Sequence, residues 1–213
     1  MWEERKSGLF VPEGLVREHF SLADWDFHAS LTYALDNSIY VSAPSSVKMG
    51  GPQVVARYPV LCRVSATLNL PQGRIESQWR RMDSNGPALF LRQQSVLGAF
   101  DVNNTYSIPV FTDTAVRVYK YVAGAETLIG SWARSHTFNT WYRERWTWWK
   151  EGASLAFRYE YWNGSAWVIV TPDVFDNAPS FEGSATNRCG VGTQAATANW
   201  ATAWFDDTII EWP

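Results

Sequence analysis

Cysteine and histidine are scarce in this chain of 213 residues, which excludes several kinds of site. The two cysteines, Cys62 and Cys189, could pair with each other, but two strand cysteines are more often small buried hydrophobic residues. Neither a disulfide framework nor a thiolate zinc site can be built from them. The three histidines, His19, His28 and His136, lie far apart and none has a partner at ligand spacing. The sequence therefore gives no indication of zinc.

Charge and long apolar runs are also limited. Charged residues make up 18% of the chain, below the average of about 25% for soluble domains. The net charge is −3 and the basic residues are scattered, so we expect no nucleic-acid partner. No segment approaches the roughly 18 consecutive apolar residues of a membrane span, so we expect no membrane insertion. The first six residues lack the apolar core of a secretory signal, so the chain is either made inside the cell or is a mature or recombinant form that has lost its signal.

Tryptophan, in contrast, is abundant, and six of the 13 tryptophans lie within residues 139–171. The run 141–149 is too rich in bulky rings for a loop. Residues 155–161 alternate apolar and polar side chains, a period of two that is typical of a half-buried strand. Asn163-Gly164 then favours a hairpin with a type I′ turn, in which both central residues have positive φ. The segment is predicted to be a meander of three antiparallel strands.

Strand-like segments recur along the rest of the chain, and the clearest alternation runs from Val60 to Leu70. Many short strands joined by regular turns predict an all-β protein, an antiparallel β-sandwich or jelly roll. One domain is ordinary at this length, and we assign residues 17–213 to it. Residues 1–16 hold turn formers and charges and are predicted to form an N-terminal arm or lead-in.

Short motifs follow one another in a fixed order near both ends of the chain. They are Glu18-His19-Phe20 before Trp25, Thr140-Trp141-Tyr142-Arg143 before the alternating strand, Asn163-Gly164 before Trp167, Gly190-Val191-Gly192, and Trp204-Phe205-Asp206-Asp207-Thr208-Ile209-Ile210. This order resembles the laminin-G-like jelly-roll modules of the concanavalin A-like lectin/glucanase superfamily. The resemblance implies a concanavalin A-like sandwich in which the opening strand, 17–22, lies beside the closing strand, 203–212.

The resemblance also implies a structural calcium ion, because these modules often hold one near that seam. Carried over residue by residue, the implied ligands are Glu18, Asp206 and Asp207. Calcium suits such a site, since it accepts six to eight oxygens and tolerates carbonyls and waters beside few carboxylates. The alternative is that Asp206 and Asp207 only hydrogen-bond the neighbouring loop. No other cofactor is required by the motifs.

Aromatic side chains on the predicted strands are candidates for sugar stacking. An indole stacks on the C–H face of a sugar ring, while the hydroxyls need planar polar partners. The exposed-face candidates are Trp79, Trp132, Trp149 and Trp162, with Tyr159 and Tyr161 as further possibilities, and of these we assign Trp79, Trp149, Tyr161 and Trp162 to sugar stacking. The alternative is that these rings fill the core. Sequential neighbours such as Trp148 and Trp149 should point to opposite faces of a sheet, so we expect at least one exposed indole.

Catalytic patterns are missing from the predicted strands. Laminarinase-type relatives carry two carboxylates on one strand at a spacing that fits double displacement, and this chain has no such strand. The only pair of note is Glu144 with Glu160 across a hairpin. For these two we expect salt bridges to Arg143, Arg145 or Arg158. We therefore predict that the protein is not an enzyme.

The leading hypothesis is a non-catalytic carbohydrate-binding or surface-decorating module, part of a virion or of an extracellular assembly. Its expected partners are carbohydrate or sister subunits. The second hypothesis is a purely structural assembly subunit that uses the same sandwich for subunit packing. The third is a glycoside hydrolase or lyase that acts on polysaccharide. The missing secretory signal favours cytoplasmic synthesis followed by a virion or extracellular-surface destination.

Overall fold

A computed structural model describes residues 14–18, 25–27, 32–41, 46–51, 57–62, 72–82, 86–96, 99–100, 103–109, 114–182, 187–194 and 201–212. All regular structure in these residues is β. The strands are β1 (Gly14–Glu18), β2 (Trp25–Phe27), β3 (Thr32–Asp36), β4 (Ser46–Gly51), β5 (Arg57–Cys62), β6 (Gly73–Arg81), β7 (Gly86–Val96), β8 (Ala99–Phe100), β9 (Thr105–Pro109), β10 (Ala115–Val122), β11 (Ala125–Ala133), β12 (Trp141–Glu151), β13 (Ser154–Trp162), β14 (Trp167–Asp176), β15 (Asn187–Gln194) and β16 (Ala201–Trp212). Across these ranges there is no helix that could span a membrane.

The strands form two antiparallel sheets. Sheet one has the spatial order β14-β13-β12-β6-β16-β4-β3, and β1 also pairs with β16. Sheet two has the order β11-β10-β9-β7-β15-β5-β2, and β8 pairs with β7. The predicted fold class, an all-β antiparallel sandwich, is therefore confirmed.

The core lies between the two sheets and is unusually aromatic. In β6 buried and half-buried residues alternate along the whole strand, so one face of sheet one points inward. Trp79, Trp146 and Trp148 of sheet one join Trp132 and Tyr106 of sheet two in one continuous apolar cluster. Each large ring buries much apolar surface, so these rings supply much of the free energy that holds the two sheets together.

The predicted meander is confirmed as β12, β13 and β14, but its second turn differs from the prediction. Four residues, 163–166, separate β13 from β14, and within this loop only Gly164 has a positive φ, at 102°. The side-chain oxygen of Asn163 accepts hydrogen bonds from the backbone N–H groups of Ser165 and Ala166, both at 2.9 Å. Asn163 therefore shapes the loop by capping it, and the type I′ prediction is wrong here.

A turn with positive φ at both central residues occurs instead between β10 and β11. Ala123 has a φ of 49° and Gly124 a φ of 82°, and together they form the two-residue connection. Such a turn matches the right-handed twist of the paired strands. The sequence signal was weak because alanine rarely adopts this conformation.

The two ends of the domain meet, as the resemblance implies, while residues 19–22 of the predicted opening strand 17–22 lie outside the described part of the chain. β1 pairs with the second half of β16, in a register that runs from Gly14 opposite Trp212 to Glu18 opposite Thr208. β1 starts at Gly14, inside the segment for which an arm is predicted, while residues 1–13 lie outside the described part of the chain. The predicted strand 60–70 is described only over its first residues, which end β5 at Cys62.

One glycine sets the distance between the two sheets at one side of the sandwich. A Cβ added at Gly130 of β11 would lie 2.7 Å from Cγ1 and 3.0 Å from Cγ2 of Val174 in β14. Trp132 of β11 also reaches β14, because its indole N–H donates to the carbonyl of Pro172 at 2.9 Å. The two sheets therefore touch here without room for a side chain at position 130.

We expect Gly130→Ala to lower the free energy of unfolding by about 1–3 kcal/mol, because a methyl group must be forced into a filled space. Adding Val174→Ala removes both clashing atoms and leaves only Cβ, at 3.4 Å. The double variant should then lose less stability than the sum of the single variants, with a coupling of about 0.5–3 kcal/mol in urea unfolding. Strictly additive losses would contradict the contact.

Candidate functional site

An open cleft of about 590 Å³ lies at one end of sheet one. It is lined by Gln78, Arg134, Trp141, Tyr142, Arg143, Tyr161, Trp162 and Asn163, and these eight residues define the cleft below. Gln78 comes from β6, and the others come from the start of β12, the end of β13, the turn after it and the segment after β11. The cleft therefore forms where adjacent strands of sheet one end together.

Four aromatic rings line the cleft, and all of them are half-buried. Strand alternation places Tyr142 and Tyr161 towards the inside of the sandwich, and Trp141 and Trp162 towards the outside. The Trp162 ring is held edge-on against Trp167, with the two centroids 5.6 Å apart. The rings thus lie on both faces of the strand ends, and each side chain stays partly exposed.

Two guanidinium groups are held against these rings. The Arg134 guanidinium lies 3.9 Å from the centroid of Tyr161, and the Arg143 guanidinium lies 5.4 Å from that of Trp162. Contacts of this kind are cation–π interactions, which favour a flat and ordered arginine. Arg143 also donates from Nε and Nη2 to a single oxygen of Glu76, at 2.7 and 2.5 Å. The cleft therefore combines aromatic surface with preorganised planar donors.

A buried carboxylate lies directly behind the cleft. Glu144 is 0% exposed and points to the inner face of sheet one, where it accepts hydrogen bonds from His136 at 2.7 Å and from the Trp79 indole at 3.0 Å. The Tyr159 hydroxyl donates to the same oxygen that binds His136. Arg134 approaches this oxygen with Nε at 3.6 Å. We call these five residues the Glu144 cluster.

The Glu144 cluster is arranged so that donors surround one negative charge. Burial, and then the charge of Glu144 and the hydrogen bond to it, raises the pKa of the Tyr159 hydroxyl, so the phenol stays protonated and donates. A buried carboxylate is tolerated only when it is paired and hydrogen-bonded, and both conditions are met here. Because Arg134 belongs to both groups, the cluster also positions one wall of the cleft.

Two of the four predicted stacking residues line the cleft and two do not. Tyr161 and Trp162 are part of the cleft. Trp79 is 1% exposed because it lies on the inner face and hydrogen-bonds Glu144, so its assignment as an exposed ring is wrong. Trp149 is 7% exposed and its assignment is also wrong. Trp132 and Tyr159, the other exposed-face candidates, are 1% and 0% exposed and belong to the core.

Trp149 does point to the outer face, opposite to Trp148, as alternation predicts. It is nevertheless covered by polar side chains: its indole N–H donates to Glu151 at 3.0 Å, and the Arg158 guanidinium lies 5.2 Å from its ring. Arg158 is held there by a bidentate pair with Asp173, at 3.0 and 2.7 Å. A ring on the outer face can therefore be buried by salt-bridged neighbours.

The cleft also contains residues that the sequence did not single out as a site, namely Gln78, Arg134, Trp141, Tyr142, Arg143 and Asn163. Two signals were present. Trp141, Tyr142 and Arg143 stood in the motif that carried the resemblance, and Glu144 interrupted an otherwise apolar inner face. A charged residue on a core face indicates partners nearby, although it does not say which they are.

Glu144 and Glu160 do not form a pair. Their strands are in register so that Glu144 is opposite Tyr161 and Arg145 is opposite Glu160, which places the two carboxylates on opposite faces of sheet one. The predicted salt bridge of Glu160 is confirmed, because Arg145 binds it through two bonds of 2.8 and 2.7 Å. For Glu144 the expected partners are wrong, since the arginine beside it is Arg134 and its nearest ring nitrogen is that of His136.

The carboxylates proposed to bind calcium lie at an irregular point of β16, next to a loop. Both oxygens of Asp206 accept backbone N–H groups, from Val41 at 2.8 Å and from Asp207 at 2.9 Å. Asp207 accepts from the side-chain amide of Gln78 at 2.7 Å. These contacts fit the alternative in which Asp206 and Asp207 only form hydrogen bonds better than they fit a site where both bind one cation. The side chain of Glu18 lies outside the described part of the structure. Calcium at Glu18, Asp206 and Asp207 stays a prediction.

Thermal melting with and without a chelator tests the calcium site. An ion that binds only the native state must raise the melting temperature, in a way that depends on its concentration. The hydrogen bonds of Asp206 and Asp207 lead us to expect the same midpoint in millimolar calcium and in excess chelator. A rise with calcium that disappears in Glu18→Gln would instead establish the ion and its ligand.

We expect Glu144→Gln to lower the free energy of unfolding by about 1–3 kcal/mol, because the donors around position 144 lose a buried, charged acceptor. The amide nitrogen of the new glutamine would also lie next to a hydrogen-bond donor of the cluster, and two donors cannot form a hydrogen bond with each other. Glu182→Gln is the matched control: that side chain is 43% exposed and pairs with the exposed Lys150, so a change within about 0.5 kcal/mol is expected. Equal unfolding midpoints for the two variants would refute the importance of the cluster.

Comparison with known proteins identifies the fold. No protein-family model and no curated protein sequence matches the chain. A protein of unknown function from Shewanella oneidensis MR-1 is similar over 98% of this chain and 91% of its own, with a TM-score of 0.60 and 12% identity. The CBM66 carbohydrate-binding module from Bacillus subtilis has a TM-score of 0.51 and 18% identity, over 88% of this chain and 95% of its own.

The exoplasmic/lumenal domain of VIP36, in its calcium- and mannose-bound form, has a TM-score of 0.54 and 10% identity, over 89% of this chain and 83% of its own. At these identities the likeness establishes the fold alone. The chain thus has the jelly-roll fold seen in carbohydrate-binding modules and lectins.

Proposed function

We propose that the protein is a non-catalytic carbohydrate-binding module and that the cleft is its binding site. The observation that carries this proposal is the lining of the cleft, in which four half-buried aromatic rings alternate with arginine, glutamine and asparagine side chains. Sugar rings bind to such surfaces because their C–H faces stack on aromatic rings while their hydroxyls need planar hydrogen-bonding groups.

The size and construction of the cleft support this proposal. Its volume of about 590 Å³ falls in the range of roughly 300–1,000 Å³ that small-ligand sites occupy. Trp162 is fixed by Trp167 and by Arg143, and Tyr161 is fixed by Arg134. Rings and guanidinium groups that are already ordered lose little conformational freedom when a ligand binds.

The comparisons support the same class of function, since two of the similar structures are a carbohydrate-binding module and a lectin domain bound to mannose. The sequence motifs and the jelly-roll fold together support membership of the concanavalin A-like superfamily. The surface-decorating role in a virion or an extracellular assembly is a finer proposal that builds on sugar binding.

Absence of catalysis is part of the proposal and is supported by where the acid–base groups lie. Glu144, His136 and Tyr159 have at most 1% exposure, so none of them reaches a ligand in the cleft. A double-displacement glycosidase needs two carboxyl groups about 5–5.5 Å apart on the same side, whereas Glu160 lies on the opposite face from Glu144. The cluster is therefore interpreted as a support for the cleft.

Binding to a glycan array, followed by affinity measurements on variants, tests the proposal. Trp141→Ala and Trp162→Ala should each weaken binding by at least roughly fivefold, which corresponds to about 1 kcal/mol of lost stacking. Phe175→Ala is the matched control, because this exposed ring lies eight residues along β14 from Trp167 and outside the cleft. Its affinity should be unchanged.

Particle-size measurement on the same samples separates the proposal from the structural alternative. If no glycan binds and the protein forms large assemblies, the sandwich serves subunit packing and the proposal is wrong. Turnover of a polysaccharide that Glu144→Gln abolishes would likewise replace it by the enzymatic alternative.

A further inference from the structure

We infer that the cleft selects glycans that carry an oxyanion, either a uronate carboxylate or a sulfate ester. This inference rests on the proposed function and adds the chemical class of the ligand. It starts from the charges of the cleft: among its eight lining residues there are two arginines and neither an aspartate nor a glutamate. The other polar lining residues, Gln78 and Asn163, carry neutral amides, and the Gln78 amide nitrogen also donates to Asp207 at 2.7 Å.

Two other arginines of sheet one, Arg145 and Arg158, can be compared with the two arginines of the cleft, because they differ in how their charge is used. Outside the cleft, Arg145 binds Glu160 and Arg158 binds Asp173, in each case with two guanidinium nitrogens on two carboxylate oxygens. A guanidinium group that is paired in this way has few N–H donors left for a ligand. These two arginines serve as an internal reference for the two in the cleft.

Within the described residues, neither cleft arginine has such a two-oxygen partner. Arg143 places both donors on one oxygen of Glu76, and its side chain is 41% exposed. Arg134 lies 3.6 Å from Glu144, which is beyond hydrogen-bond distance, and Glu144 is sealed in the core. Each guanidinium therefore lines the cleft beside one carboxylate, without the two-oxygen contact that engages Arg145 and Arg158.

An oxyanion is the ligand that matches this arrangement. Guanidinium groups bind carboxylate and sulfate through paired N–H donors, and such charge-assisted bonds are roughly twice as strong as neutral ones. Partial exclusion of water by the surrounding rings strengthens them further. The chain as a whole carries a net charge of −3, so general attraction of polyanions is not expected and any preference must come from the cleft itself.

The test compares matched pairs of probes that differ only in charge. One pair is oligogalacturonate and its methyl ester, and the other is dextran sulfate and dextran, with affinities measured by calorimetry in low salt. The charged member of at least one pair should bind at least about tenfold more tightly, the size expected for one charge-assisted contact. A difference within the oligogalacturonate pair indicates a carboxylate ligand, and a difference within the dextran pair indicates a sulfated one.

Variants of the arginines show which residues cause the preference for charged probes. Arg143→Gln should reduce the ratio between charged and neutral probes to near one while neutral binding persists, and Arg134→Lys, which keeps the charge opposite Glu144, should reduce it in part. Arg158→Gln is the control, because Arg158 lies on the same sheet outside the cleft, and it should keep the full ratio. Melting curves confirm that each variant is folded.

The outcomes are distinct. Equal binding of both members of each pair overturns this inference and leaves the proposed carbohydrate function standing. A preference that survives Arg143→Gln but is lost in Arg158→Gln also overturns it, since the anion would then bind elsewhere. Failure of every probe, together with a negative glycan array, overturns the proposed function itself.

Discussion

The arrangement of sheet one and of the cleft depends on a single charge inside the sandwich. Glu144 of β12 accepts donors from Trp79 of β6, Tyr159 of β13 and His136 of the segment that leads from sheet two to sheet one. One carboxylate thereby fixes three neighbouring strands and the crossing between the sheets. The interior must supply all of these donors at once, because a buried carboxylate that lost them would carry the full cost of desolvation.

The same charge links the interior to the surface. Arg134 faces Glu144 on one side and stacks on Tyr161 on the other, so its position in the cleft follows from the position of a group that no ligand can touch. Tyr142 is held in a similar way, edge-on against His136 and close to Trp79. Recognition residues are most precise when their own orientation is fixed by such a supporting layer.

Much of the architecture could be predicted from the sequence, because it follows from local rules. Alternation along β12 and β13 and the turn residues after them gave the meander, and the motifs at both ends gave the pairing of β1 with β16. The exposure of individual rings could not be predicted. Alternation assigned Trp149 to the outer face correctly, yet its burial depends on Arg158 and Asp173, which reach it only through strand register. Arg134 is ten residues from Glu144 in the chain and meets it only because the chain crosses between sheets.

The contact between Gly130 and Val174 also determines how this sandwich can associate. β11 and β14 are the terminal strands of the two sheets on that side, and terminal strands normally present unpaired backbone groups to which another chain can add. Here the two edges lean against each other, and Pro172 removes one N–H donor from β14. Among the described strands, the terminal ones at the opposite side are β3 and β2, and these are the edges to which a strand of a neighbouring molecule can add without that contact.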